Sequence, residues 1–99
     1  MIVITGTVRI PPGAVDRVRP AMERMLMASR AEDGCQHYAY AIDVLDETIV
    51  HISEIWRDRE ALQGHFSTTH MAEWRAQFSE LGITDRNLTL FETDAGTPV

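Results

Sequence analysis

Apolar residues recur at every second position in some stretches of this chain and at helical spacing in others, and the order of these stretches restricts the fold more than any other feature. Residues 2 to 10 alternate between an apolar set (Ile2, Ile4, Gly6, Val8, Ile10) and a mixed set (Val3, Thr5, Thr7, Arg9), the pattern of a half-buried strand. Pro11-Pro12-Gly13 ends it. From Ala14, the positions Val15, Val18, Met22, Met25 and Leu26 follow helical spacing to about Arg30. Pro20 falls inside this stretch and removes one backbone hydrogen bond, which predicts a kink or a late helix start. Glu32-Asp33-Gly34 reads as a turn. Cys35 to Val44 and Thr48 to Trp56 read as antiparallel strands joined by Leu45-Asp46-Glu47. On the later strand Val50, Ile52, Glu54 and Trp56 share one face, and Ile49, His51, Ser53 and Ile55 share the other. Asp58 is placed to cap a helix from Arg59, and Ser67 to cap a further segment in which Met71, Trp74, Phe78 and Leu81 repeat, with Gly64 and Ser67 marking the break. Gly82 ends that segment. Leu88 to Phe91 suggest a last strand before a flexible tail over 94–99.

The order β-α-β-β-α-β predicts a ferredoxin-like α+β fold, with both helical regions on one face of a four-stranded antiparallel sheet. Ninety-nine residues fit one domain spanning 1–99. The uncovered face would leave Val3, Ile49 and Ile55 in water, so a homodimer with facing sheets is expected. A ligand cavity then lies between each sheet and its own helices.

Charge narrows the function. Fifteen acids against nine bases give a net charge of −6, and the bases do not cluster, so nucleic acid is not an expected partner. Every base is Arg, which excludes Schiff-base chemistry, a pyridoxal anchor and a P-loop lysine. No apolar run approaches membrane-spanning length and the N-terminus lacks signal-peptide features, so no membrane partner and a cytoplasmic location are expected. Cys35 stands alone, which rules out an intrachain disulfide and suits a reducing compartment. A small buried thiol is the ordinary reading.

Glu32-Asp33-Gly34-Cys35 with Tyr38, then Glu54-Ile55-Trp56, then Ala61-Leu62-Gln63-Gly64-His65 and Ser67-Thr68-Thr69-His70-Met71, form an ordered set over nearly the whole chain. This set resembles the antibiotic biosynthesis monooxygenase family, in particular its quinol monooxygenase branch. The resemblance implies a dimeric α+β barrel and, as in several members, cofactor-free oxidation of hydroquinones or anthrone-type polyketides by molecular oxygen. Haem-degrading relatives carry an Asn in the first strand, where this chain has Gly6 or Thr7, and its only Asn is Asn87. Their Trp position falls near His65 and their haem-ligand position near Arg75, so haem cleavage is not expected.

Cofactor-free oxidation needs a base to form an electron-rich anion, and imidazole titrates in the useful range. His65 and His70 are the candidates, with helix-surface or capping roles as the alternative. Glu54, an acid on an apolar face, is a candidate proton partner or else one half of an ion pair with an Arg such as Arg9 or one from the partner subunit. Trp56, Trp74, Tyr38, Tyr40, Phe66 and Met71 are candidates for substrate contact. Against this, aromatics at such spacing are commonly core, and the two tyrosines could equally lie in a dimer interface. Met22, Met25 and Met27 could add an adaptable lining. No metal is expected, because His65 and His70 are five apart and would sit on different sides of a continuous helix. A non-catalytic aromatic-binding module and an isomerase or decarboxylase in the same pocket are the competing readings.

Overall fold

A computed structural model describes residues 1–99. Strand β1 (Ile2–Arg9) leads to helix α1 (Val15–Arg30), strands β2 (Cys35–Ile42) and β3 (Ile49–Trp56), short helices α2 (Arg59–Phe66), α3 (Thr69–Ala76) and α4 (Phe78–Leu81), and strand β4 (Thr84–Glu92). The sheet has the order β2-β3-β1-β4 with every pair antiparallel, which is the ferredoxin-like arrangement.

Register decides which side chains meet. Tyr38, Glu54, Ile4 and Leu90 form one row across the four strands, and Tyr40, Ile52, Gly6 and Leu88 form the next. Both rows point toward the helices, because successive strand residues alternate faces. The buried set of β3 is Val50, Ile52, Glu54 and Trp56, as the alternation requires. From α1 come Val18, Ala21, Met22 and Met25, from α2 Leu62, and from α3 Met71 and Trp74, all buried in the same core. Helix α1 packs on β2 and α3. No helix is long and apolar enough to cross a membrane.

Gly6 has a specific steric reason to be glycine. A Cβ there would lie 1.9 Å from the backbone oxygen of Asn87, so β1 and β4 approach each other where only a hydrogen fits.

Several boundaries differ from the sequence reading. Helix α1 begins at Val15 and is unbroken through Pro20, which faces solvent, so the late start does not occur. Strand β2 stops at Ile42 rather than Val44. There the Asp43 carboxylate accepts from the backbone N–H groups of Leu45 and Asp46, closing a turn that leaves Val44 and Leu45 exposed. Helix α2 runs through Gly64, and Ser67 ends it instead of starting the next. Thr68 is the cap of α3: its backbone is extended and its Oγ1 accepts from the Met71 N–H at 3.2 Å. The segment after it divides at Gln77, where the N–H bonds to Trp74 O three residues back. Gly82 terminates α4 in the left-handed conformation at φ 72°.

Candidate functional site

The break between α2 and α3 brings the two helical histidines onto one acid. His65, in the last turn of α2, is almost wholly buried, at 1% exposure, with Nδ1 2.6 Å from Glu32 Oε2. His70, in the first turn of α3, places Nε2 2.8 Å from the same oxygen. Glu32 sits in the turn between α1 and β2. A carboxylate only accepts, so each imidazole presents an N–H to it. In the neutral ring this leaves the His65 lone pair on Nε2, which is buried without a hydrogen-bond partner. The ring is walled by Trp56 at 4.6 Å and Tyr38 at 5.5 Å between centroids. His65 is therefore neither a surface residue nor a simple cap, and the expectation that the two histidines diverge is overturned. The helix is not continuous between them.

Glu54, in the middle of β3, is 5% exposed and accepts a hydrogen bond from Trp56 Nε1 at 2.9 Å. Burial pushes its carboxyl above the usual carboxylate range, opposed by that hydrogen bond and by the positive charge of Arg86. Arg9 is not its partner. That guanidinium donates to Thr48 and pairs with Asp46 at the surface.

Glu54 and His65 line a common cavity of about 160 Å³ between the sheet and α2–α3, together with Ile4, Phe66, Met71, Arg86 and residues 88–90 of β4. A narrower hollow beside it is bordered by Tyr38, Tyr40, Trp74 and Arg75, and shares Glu54, Met71 and Arg86. Of the residues read from sequence as substrate contacts, Phe66 and Met71 lie on the larger wall and Tyr38, Tyr40 and Trp74 on the narrower one. Trp56 lies on neither. It is completely buried and serves the cavity through its bond to Glu54.

Tyr40 and Trp74 stack at 5.8 Å, and the Tyr38 and Tyr40 hydroxyls pair at 3.1 Å. Both tyrosines are on the helix-covered face, not the open one, and burial raises both phenols. Met27 projects into solvent at 74% exposure and lines nothing. Asn87 pairs with Thr7 on the face away from the helices, and Arg75 lies over the Phe66 ring at 5.8 Å. Cys35 is half-buried, and burial together with Glu32 and Glu54 raises its thiol, which disfavours the nucleophilic thiolate.

Sequence reasoning missed two residues. Arg86 reaches the cavity from β4, a strand whose pattern carries little apolar signal. Glu32 was read as part of a turn and of the ordered motif set, but not as a site residue. One signal was present: an acid immediately after a helix C-terminus opposes the helix dipole, so its place there calls for a different partner.

The model of the antibiotic biosynthesis monooxygenase family matches residues 1–77. Rv0793 of Mycobacterium tuberculosis, provisionally named a monooxygenase, is 34% identical over 70 residues, covering 71% of this chain and 68% of that protein. Its structure superimposes with a TM-score of 0.82 at 25% identity, covering 98% of each chain. A Deinococcus radiodurans protein provisionally described as an antibiotic biosynthesis monooxygenase shares the fold with a TM-score of 0.91 at 22% identity, over 100% of this chain and 98% of that one. The uncharacterized protein sll1783 of Synechocystis is 29% identical over 73 residues, 74% of this chain, but the match spans only half of that relative's length. With the family pattern running from β1 into the helices that carry His65 and His70, this chain belongs to the antibiotic biosynthesis monooxygenase family.

Proposed function

We propose that this protein is a cofactor-independent monooxygenase that oxidises a quinol or polyketide-type aromatic with molecular oxygen, working as a homodimer closed through its open sheet faces. The observation that carries the reading is His65: a buried imidazole on the cavity wall, held by Glu32 through Nδ1, with Nε2 as its free basic nitrogen. A carboxylate behind an imidazole fixes its tautomer and supports the imidazolium that forms on proton transfer.

In this mechanism Nε2 takes the proton of a phenol or anthrone enol. Arg86 balances the resulting anion, and the apolar wall keeps water away from it. The anion gives one electron to oxygen, and superoxide and the substrate radical then combine in a carbon–oxygen bond. The peroxide formed breaks its O–O bond, leaving one oxygen atom as a carbonyl and releasing the other as water. The substrate supplies both electrons, so an anthrone and oxygen become an anthraquinone and water with no added reductant. Glu54, held toward its protonated form by burial, is the proton partner for the departing oxygen.

The test is oxygen uptake by the purified chain with anthrone and with hydroquinone. His65→Ala should slow it by about 10²–10⁴-fold, the usual contribution of a positioned base. Uptake at the uncatalysed rate across a varied aromatic panel overturns the proposal. Because His65 and Glu54 also make an acid–base pair suited to isomerisation, the same panel is run without oxygen, where product formation would favour that second reading.

A further inference from the structure

The geometry points to a transition-metal site made of Glu32 Oε2, His65 Nδ1 and His70 Nε2, whose occupancy moves the His65 proton from one ring nitrogen to the other. The three donor atoms lie within 4.8 Å of one another and come from three separate elements, the α1–β2 turn, α2 and α3. Two imidazoles and a carboxylate form a donor set suited to zinc, iron or manganese. The two nitrogens now stand 2.6 and 2.8 Å from the shared oxygen. Metal bonds of about 2.0–2.1 Å at tetrahedral or octahedral angles place neighbouring donors about 2.9–3.4 Å apart, so modest side-chain rotation opens the cluster enough.

A cation has a way in that avoids the aromatic cavity. Glu32 and His70 keep 15% and 23% of their side chains exposed. Glu32 also borders a surface depression of about 370 Å³ with Asp33 and Glu60. The one guanidinium there, Arg57, is engaged by Asp33 and Asp58.

Binding changes the chemistry of His65 without adding or removing a proton from the neutral ring. Today Nδ1 carries the hydrogen that Glu32 accepts. A metal on Nδ1 needs that lone pair, so the hydrogen moves to Nε2, and the nitrogen on the dry side becomes a donor. His70 shifts in the same way, its hydrogen moving to Nδ1. Resting on the role given to His65 under the proposed function, an occupied site has lost its base, and the metal acts as an off-switch. The binding site itself does not depend on that role.

The experiment uses zinc chloride added to the full, metal-free chain. Calorimetry follows affinity and side-chain nitrogen NMR follows the tautomer of His65. Saturable binding is expected, with the Nε2 resonance moving from an unprotonated to a protonated value. Glu32→Gln and His70→Ala should each weaken binding at least about tenfold while the circular dichroism spectrum is unchanged. His51→Ala, which removes the other histidine–carboxylate pair of the chain, should leave affinity as it was. Binding that survives Glu32→Gln and His70→Ala, or that disappears with His51→Ala, overturns the site. An unmoved Nε2 resonance at saturation, or oxygen uptake that persists in the zinc-loaded protein, overturns the switch. Zinc bound as expected by a protein that never consumes oxygen removes the monooxygenase reading and leaves the metal site standing.

Discussion

The two faces of the sheet are built from alternate residues of the same strands and have opposite characters. On the covered face, Trp56, Val50 and Glu54 are sealed by α1, α2 and α3, and the Glu54 carboxylate accepts from the Trp56 indole. On the other, Val3, Ile49 and Ile55 are half-covered beside exposed His51 and Thr5, and Phe91 is 51% exposed. A residue's neighbour in sequence thus belongs to a different environment, and a substitution one position along should have a different kind of effect. The covered face carries the cavity, while the open face is where the proposed homodimer would form.

The sharpest way to break this contrast is to truncate adjacent residues. Trp56→Ala removes a fully buried ring and should cost about 3–5 kcal/mol in urea unfolding, the range for large aromatics in cores. Ile55→Arg should instead leave the fold intact and change the mass in light scattering from twice 11.2 kDa to 11.2 kDa. An unchanged mass for Ile55→Arg would remove the open face as the dimer contact. A smaller effect is expected at the helix break, where Thr68→Ala loses the cap of α3 and should cost about 1 kcal/mol. Oxygen uptake should fall by more than that loss implies, since Thr68 also donates to His65 O at 2.7 Å.

The smallest effect concerns Glu54. Its carboxyl is raised in the fold, so between the ordinary carboxylate pKa and the raised value the native state keeps a proton that the unfolded chain releases. Stability from this group is therefore present at acid pH and falls as pH rises through that window. Glu54→Gln does not titrate and can still accept from Trp56. Its melting temperature relative to the parent should climb with pH, and parallel pH profiles would show that Glu54 is not held in its protonated form.

Much of this was legible before the structure. Alternation in β1 and β3 assigned Ile4, Val50 and Glu54 to one face, because strand side chains repeat every two residues whatever surrounds them. Asp58 announced α2, and its carboxyl, accepting from the Ala61 N–H, is held below the usual range. Thr68 was not separable from Ser67: both side chains can cap, and what distinguishes them is that the backbone of Thr68 is extended, with ψ 154°. The pairing of Glu32 with His65 joins positions 33 residues apart and depends on how α2 packs over the α1–β2 turn, which no local pattern encodes. Spacing alone even argued against His65 and His70 acting together.

That last point gives the linker at Ser67 and Thr68 an importance its size conceals. Five residues along an unbroken helix would rotate His70 about 140° away from His65, so this short interruption sets the angular phase between them. A single residue inserted or deleted there would leave α3 able to form but turn it by about 100°, carrying His70 off the carboxylate. In this fold, the length of one surface connection governs whether three distant side chains operate as a unit.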